Sequence, residues 1–238
     1  MKRTRANPLG LGCSSISQKP ALVMLLLVLL LILCSFWTLK AYANPDTETL
    51  RPGGVGTTTQ LTPVGATANW QCVFEDPADG DSSYVKSSST SWKTDTYLTQ
   101  DHSIGSGTIS KVTIYVRCKS SNTFGGVASA RTAIRTHSTN YFGTTITLTG
   151  SYANYYTDYT TNPNTLQAWT WSEVDDMEIG VGGKNSAAYG WNAYCTQVYA
   201  VVTYTPSTPT FPSSLGTLIM VLVCGTLYLV LRHFYSRS

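Results

Sequence analysis

The stretch Lys111-Val-Thr-Ile-Tyr-Val-Arg-Cys118 decides the fold. Val112, Ile114, Val116 and Cys118 fall on one parity, Thr113, Tyr115 and Arg117 on the other. Side chains of a strand point alternately to opposite faces, so this segment predicts a strand with one face in a core and one toward water. Two further segments repeat the pattern. In Ala128–His137, Ala128, Ala130, Thr132 and Ile134 oppose Ser129, Arg131, Ala133 and Arg135. In Thr196–Tyr204, Val198, Ala200 and Val202 oppose Gln197, Tyr199, Val201 and Thr203. Thr144–Leu148 and Tyr152–Tyr159 are rich in Thr, Tyr and Ile, residues that suit strands. Asp79-Gly80-Asp81, Gly105-Ser106-Gly107, Gly125-Gly126 and Gly182-Gly183 read as the turns between them. Ser172 to Met177 reads as one short helix, with Ser172 as its N-cap and Asp175-Asp176 in its first turn. Many short strands at close spacing predict an all-β fold, an antiparallel jelly-roll β-sandwich with one short helix.

Outside this body the composition changes. All 13 acidic residues of the 238-residue chain lie in 44–212, with nine Lys and Arg, so the body is mildly acidic. Residues 1–43 carry Lys2, Arg3, Arg5, Lys19 and Lys40, and 232–238 carry Arg232 and Arg237, with no acid in either. A body without net positive charge argues against a nucleic-acid partner. Its 12 Tyr and 5 Trp argue against disorder. Two uncharged runs of 17 residues flank it, Ala21–Trp37 and Leu215–Leu231. The first lies between a basic stretch and Ala41-Tyr42-Ala43, the layout of a secretory signal with a cleavage site, or of an uncleaved anchor. The second has the composition and near the length of a membrane helix. Basic ends stay in the cytoplasm, which places the body outside. The expected organisation is therefore 1–43 signal peptide or signal anchor, 44–205 extracellular sandwich, 206–212 linker, 213–231 transmembrane helix and 232–238 cytoplasmic tail, with the membrane as a partner.

Several short motifs occur in order along the body. They are Leu50-Arg51-Pro52, Trp70-x-Cys72-Val73, Asp81-x-x-Tyr84-Val85, Ile109-x-x-Val112-x-Ile114-x-Val116, Trp169-Thr170-Trp171-x-Glu173-Val174 and Thr196-Gln197-Val198-Tyr199-x-Val201. Together they resemble an uncharacterised jelly-roll domain of microbial and phage-borne surface proteins. The resemblance implies a fold and no established activity. The tail Pro206-Ser-Thr-Pro209-Thr210-Phe211-Pro212, followed by an apolar run and a basic end, resembles archaeal PEF-CTERM-type sorting signals, with Thr210 where the acidic residue of that motif would be. That resemblance implies a sorting transpeptidase as a partner; a simple membrane anchor is the alternative.

Catalytic patterns are absent. His102 and His137 are far apart in sequence and form no metal-ligand spacing, and no nucleophile elbow or phosphate loop occurs. No catalytic residues are expected. Asp76, Asp79 and Asp81 put three carboxylates on one tight loop, which a structural calcium ion would accept; an ordinary Asp-Gly-Asp turn between strands is the leading reading. Trp70, Trp169 and Trp171 are expected in the core, while Trp92 follows a Ser/Thr run and is expected exposed. Tyr115 and Arg117 on one strand and Arg131 and Arg135 on another occupy polar parity. If the two strands are neighbours, they form with Trp92 an aromatic–guanidinium face for a ligand. The expected function is that of a non-enzymatic, adhesin-like surface module that binds glycan or another surface protein, or alternatively a structural subunit of a coat or filament.

Three cysteines remain in the body, Cys72, Cys118 and Cys195, enough for one disulfide. Cys118 shares parity with the core residues of its strand, whereas Cys195 opposes Val198 and Cys72 adjoins Val73. By analogy with jelly rolls, in which first and last strands often pair, the expected bond is Cys72–Cys195, with Cys118 free.

Overall fold

The computed structural model describes residues 44–104, 106–124, 126–186 and 190–207, with isolated positions 225, 228, 229 and 232. The signal segment and the second apolar run lie outside the described residues, apart from those isolated positions. Among the described residues no helix is long and apolar enough to cross a membrane.

The body is an antiparallel β-sandwich. Its strands are β1 (Asp46–Leu50), β2 (Pro52–Thr59), β3 (Thr62–Val64), β4 (Tyr84–Ser87), β5 (Lys93–Thr99) and β6 (Gly107–Ser120). They continue with β7 (Ser129–Thr136), β8 (Thr139–Phe142), β9 (Ile146–Thr147), β10 (Ala153–Tyr159), β11 (Glu178–Lys184) and β12 (Ala193–Pro206). One sheet runs β10-β6-β12-β4-β3, with β1 also on β12; the other runs β2-β5-β11-β7-β8, with β9 also on β7. From β4 to β7 and again from β9 to β12 each strand lies in the opposite sheet from the one before it, the wrapping of a jelly roll.

The three alternating segments become β6, β7 and β12, and their parity holds where it was read. Val112, Ile114, Val116, Cys118, Ala130, Thr132, Ile134, Val198, Ala200 and Val202 are all buried between the sheets. Burial of each large aliphatic side chain there contributes about 1.5–3 kcal/mol. Of the tryptophans expected in the core, Trp169 is buried, while Trp70 and Trp171 are partly buried against its edge. The β7–β8 hairpin turns through His137 and Ser138, both at positive φ (49° and 62°), the backbone that matches strand twist in a two-residue turn.

Four expectations are corrected. Thr144–Leu148 supplies only the two-residue β9. Gly182-Gly183 is not a turn but lies inside β11, a central strand. The helix, α1, is Trp171–Asp175, capped by Thr170 rather than Ser172. Thr170 Oγ1 accepts from Glu173 N while the Glu173 carboxylate takes Thr170 N, so one Thr-x-x-Glu box satisfies two donors. The fourth concerns the disulfide. Cys72, Cys118 and Cys195 are all free and all buried. Cys72 sits in the 3-10 turn Asn69–Cys72, its thiol directed at the carbonyls of Val64 and Ala68. Cys195 is turned inward because a β-bulge between Cys195 and Gln197 inserts Thr196 and reverses the parity, so Cys195 lies opposite Cys118.

Candidate ligand-binding faces

The expected aromatic–guanidinium face is split in two, because β6 and β7 belong to different sheets. Tyr115 and Arg117 lie on the outside of one sheet, Arg131, Arg135 and Trp92 on the outside of the other.

On the first face, register builds a ladder. Tyr115 on β6 pairs with Tyr156 on β10 and with Tyr199 on β12, so three tyrosines form one row across three strands. Tyr115 and Tyr199 rings are stacked at 4.8 Å and 5°. Tyr156 is tilted at 5.5 Å and is 62% exposed. The Arg51 guanidinium closes the other end, 5.4 Å from the Tyr199 ring. A second group lies further along the sheet. Tyr84 stacks on Tyr194 at 4.4 Å, and the Lys119 ammonium is 4.6 Å from the Tyr152 ring and 5.8 Å from Tyr194. Arg117 stands between the groups, 5.9 Å from the Tyr152 ring and bonded to Asn154 Oδ1.

The acidic loop proposed for calcium borders this face. Asp76 takes Arg51 at 2.6 Å, and Asp81 takes Lys119 at 2.7 Å and the Tyr152 hydroxyl at 3.1 Å. Asp79 accepts from Thr196 Oγ1. Burial and the adjacent Asp79 carboxylate push Glu75 above the usual carboxylate range. Each of the three aspartates thus has its own protein partner. Among the described residues no group of three His, Cys, Asp or Glu side chains is placed to hold a metal ion. Burial pushes the Tyr84, Tyr152 and Tyr199 phenols up.

On the second face, Arg131 lies between Phe142 and Trp92, its guanidinium carbon 3.6 Å and 4.3 Å from the two ring centroids. Trp92, expected exposed, is half-buried there. Arg135 approaches Glu178 at 3.6 Å and bonds Asn140 Oδ1. Glu178 is buried and accepts from Thr57 N at 2.8 Å and from the Thr57 and Thr96 hydroxyls.

Sequence reasoning missed one cluster. His102, for which the sequence showed only the lack of metal-ligand spacing, donates its backbone N–H to Asp175 Oδ1 at 2.9 Å, and its Nδ1 is 2.6 Å from the same oxygen. Its ring stacks on Trp171 at 4.7 Å. The signal was the i, i+4 pair Trp171/Asp175 on one side of α1. The neighbouring Ser103 hydroxyl donates to Glu48 and not to His102.

Two of these carboxylates make an acid-pH prediction. Hydrogen bonding to Lys119 holds Asp81 below its ordinary value. Burial works to raise Asp175, but the hydrogen bonds and charge of His102 outweigh it and leave Asp175 lowered. A depressed carboxyl contributes stability that is complete above the unfolded value near pH 4 and is lost as pH falls through the lower folded value. The melting temperature should therefore decline below about pH 4. Asp81→Asn should flatten that decline; an unchanged slope would remove Asp81 from the account.

No family model and no curated protein matches this chain. Solved structures show a loose likeness. A family 29 carbohydrate-binding module from Piromyces equi is similar at 7% identity and a TM-score of 0.33, over 66% of this chain and 91% of that one. The CBM22-1–GH10 modules of the Clostridium thermocellum endo-1,4-β-D-xylanase 10B, complexed with xylohexaose, reach 11% identity and a TM-score of 0.37, over 73% of this chain and 30% of theirs. A family two carbohydrate esterase from Cellvibrio japonicus reaches 10% and 0.28, over 71% and 36%. This chain thus spans about a third of the length of the latter two proteins. Scores at this level assign no function.

Proposed function

We propose that this chain is a surface-displayed, membrane-anchored β-sandwich that binds glycan without catalysis, through the tyrosine face of β10, β6 and β12. The ladder Tyr156–Tyr115–Tyr199 carries the reading. Tyrosine supplies broad, rigid, amphipathic contact area at little cost in conformational entropy. With Tyr84, Tyr152 and Tyr194 on the same face, the row offers ring edges and phenol hydroxyls to a polyhydroxylated ligand. Tyr115 and Tyr199 cover each other's faces. The exposed Tyr156 ring is therefore the one available for stacking on a sugar, and the others act through their edges. Arg51 and Lys119, fixed by Asp76 and Asp81, stiffen the platform. Surface display and anchoring rest on the two apolar runs and the basic ends, with a sorting transpeptidase as a partner that the tail motif suggests.

The test is a glycan array read with the detergent-solubilised full chain and with Tyr156→Ala. A glycan retained by the wild type should bind the variant about tenfold or more weakly, the effect of one lost aromatic contact. The melting temperature should move by no more than about 2–3 °C, because Tyr156 is exposed. The reading fails if the wild type retains no glycan, or if Tyr156→Ala binds as tightly.

A further inference from the structure

We infer that the outer face of the β2-β5-β11-β7-β8 sheet carries a separate site that takes the carboxylate of an acidic sugar, such as a uronate. It lies on the opposite side of the sandwich from the tyrosine ladder and does not depend on that reading.

The site is built by a glycine. Gly182 on β11 lies between Arg131 on β7 and Thr94 on β5. A Cβ at 182 would come within 3.0 Å of Arg131 Cγ and Nε, so the missing side chain lets Arg131 lie flat across β11. There its guanidinium is held between the rings of Trp92 and Phe142. The Lys184 ammonium approaches the same Trp92 ring at 5.1 Å. Two cations are thus gathered at one tryptophan.

Neither has a counter-charge. The ion pairs of the described residues engage Arg51, His102, Lys111, Lys119, Arg135 and His137, and none engages Arg131 or Lys184. The nearby carboxylate, Glu178, is committed to Arg135, Thr57 and Thr96. Arg131 Nε is buried with no hydrogen-bond partner. Burial pushes the Arg131 guanidinium below its ordinary value, the direction expected of a partly desolvated cation without an anion. A buried polar atom left unpaired is costly, and a planar guanidinium fixed in orientation meets a carboxylate in a two-point fork.

The surroundings select a sugar acid over a bare anion. Gly182, opposite Arg131, adds no side chain and leaves a bare backbone floor beneath the Arg131 side chain. Phe142, 40% exposed, gives that floor an apolar rim. A flat ring carrying one carboxylate uses both the cations and the rim, whereas sulfate uses only the cations.

The test is calorimetric titration of the detergent-solubilised full chain with trigalacturonate, galactotriose and sodium sulfate. Trigalacturonate should bind at least about tenfold more tightly than either of the others. Its affinity should fall with added salt. Arg131→Gln should weaken it about tenfold or more and Lys184→Gln about threefold, while Tyr156→Ala leaves it unchanged. Failure of the tyrosine reading and failure of this one are then separate results. Equal affinity for the three probes, no binding of trigalacturonate, or an unchanged titration in Arg131→Gln overturns the site. If Arg131→Gln does not fold, the trigalacturonate-to-galactotriose ratio and Lys184→Gln decide.

Discussion

Replacing Asp95 with alanine should lower the unfolding free energy by about 4 kcal/mol. For a body of this size that corresponds to a fall of roughly 12 °C in melting temperature. Asp95 lies on β5 with no exposure, and both of its oxygens are fully used. Oδ1 accepts from Gln60 N at 2.6 Å and Leu61 N at 2.8 Å. Oδ2 accepts from Asn69 Nδ2 at 2.5 Å and from the Tyr97 hydroxyl at 3.1 Å. Alanine strands these donors away from water. Each stranded donor costs about 1–3 kcal/mol, and the sum is reduced because Asn69 Nδ2 keeps the Leu61 carbonyl. Asp95→Asn should cost about half as much, since one end of its amide is again an acceptor. Urea titration followed by tryptophan fluorescence measures both. A loss below about 1 kcal/mol for Asp95→Ala would mean that the segment 60–69 is held by other contacts.

Gly180→Ala should cost about 3 kcal/mol, at the upper end for one methylene-sized group forced into a packed site. A Cβ at 180 would stand 2.0 Å from the Asp95 carbonyl oxygen and 3.0 Å from Thr96 Cα. Those are backbone atoms of β5, so the relief open to a flexible side chain is closed, and the β5–β11 pairing itself must yield. Gly80→Ala is the control, because nothing lies within 4 Å of a Cβ at that position, although its φ of 68° carries a small strain of its own. Thermal melts of the two variants should differ by about 5 °C or more. Equal melting would show that β5 and β11 separate at little cost.

Legibility followed the polarity of the inner face. β6, β7 and β12 could be read because their inward positions are apolar, so period two is visible. β5 could not, because its inward positions include Asp95, and a strand that buries a carboxyl looks like a loop. β11 was hidden by Gly180, Gly182 and Gly183, which suggest a turn unless the neighbouring backbone is known to press against them. Local alternation also cannot report an inserted residue. Thr196 reverses the parity of Cys195, and with it the expected pairing of the cysteines. For the candidate site, Tyr115 and Arg117 were visible as outward residues. The assembly of Tyr156, Tyr115 and Tyr199 into one row is a property of register between distant strands, and no single segment carries it. Arg131 was found for its polarity, but its place between Trp92 and Phe142 depends on Gly182, its partner on the neighbouring strand β11 and far from it in sequence.

The pairing of β1 with β12 has a mechanical consequence. Asp46 lies opposite Tyr204, so the chain enters and leaves the sandwich side by side at one pole. Pulling those two points apart opens the β1–β12 contact one hydrogen bond at a time, like a zipper, and little force is needed. Load applied between the tyrosine row and Pro206 travels instead along the axis of β12. Its cross-strand bonds to β6 run from Ala193 to Pro206, perpendicular to that pull, and they are strained together in shear. The sandwich is weak when tugged by its two ends and strong when β12 is tugged through what its tyrosine row holds.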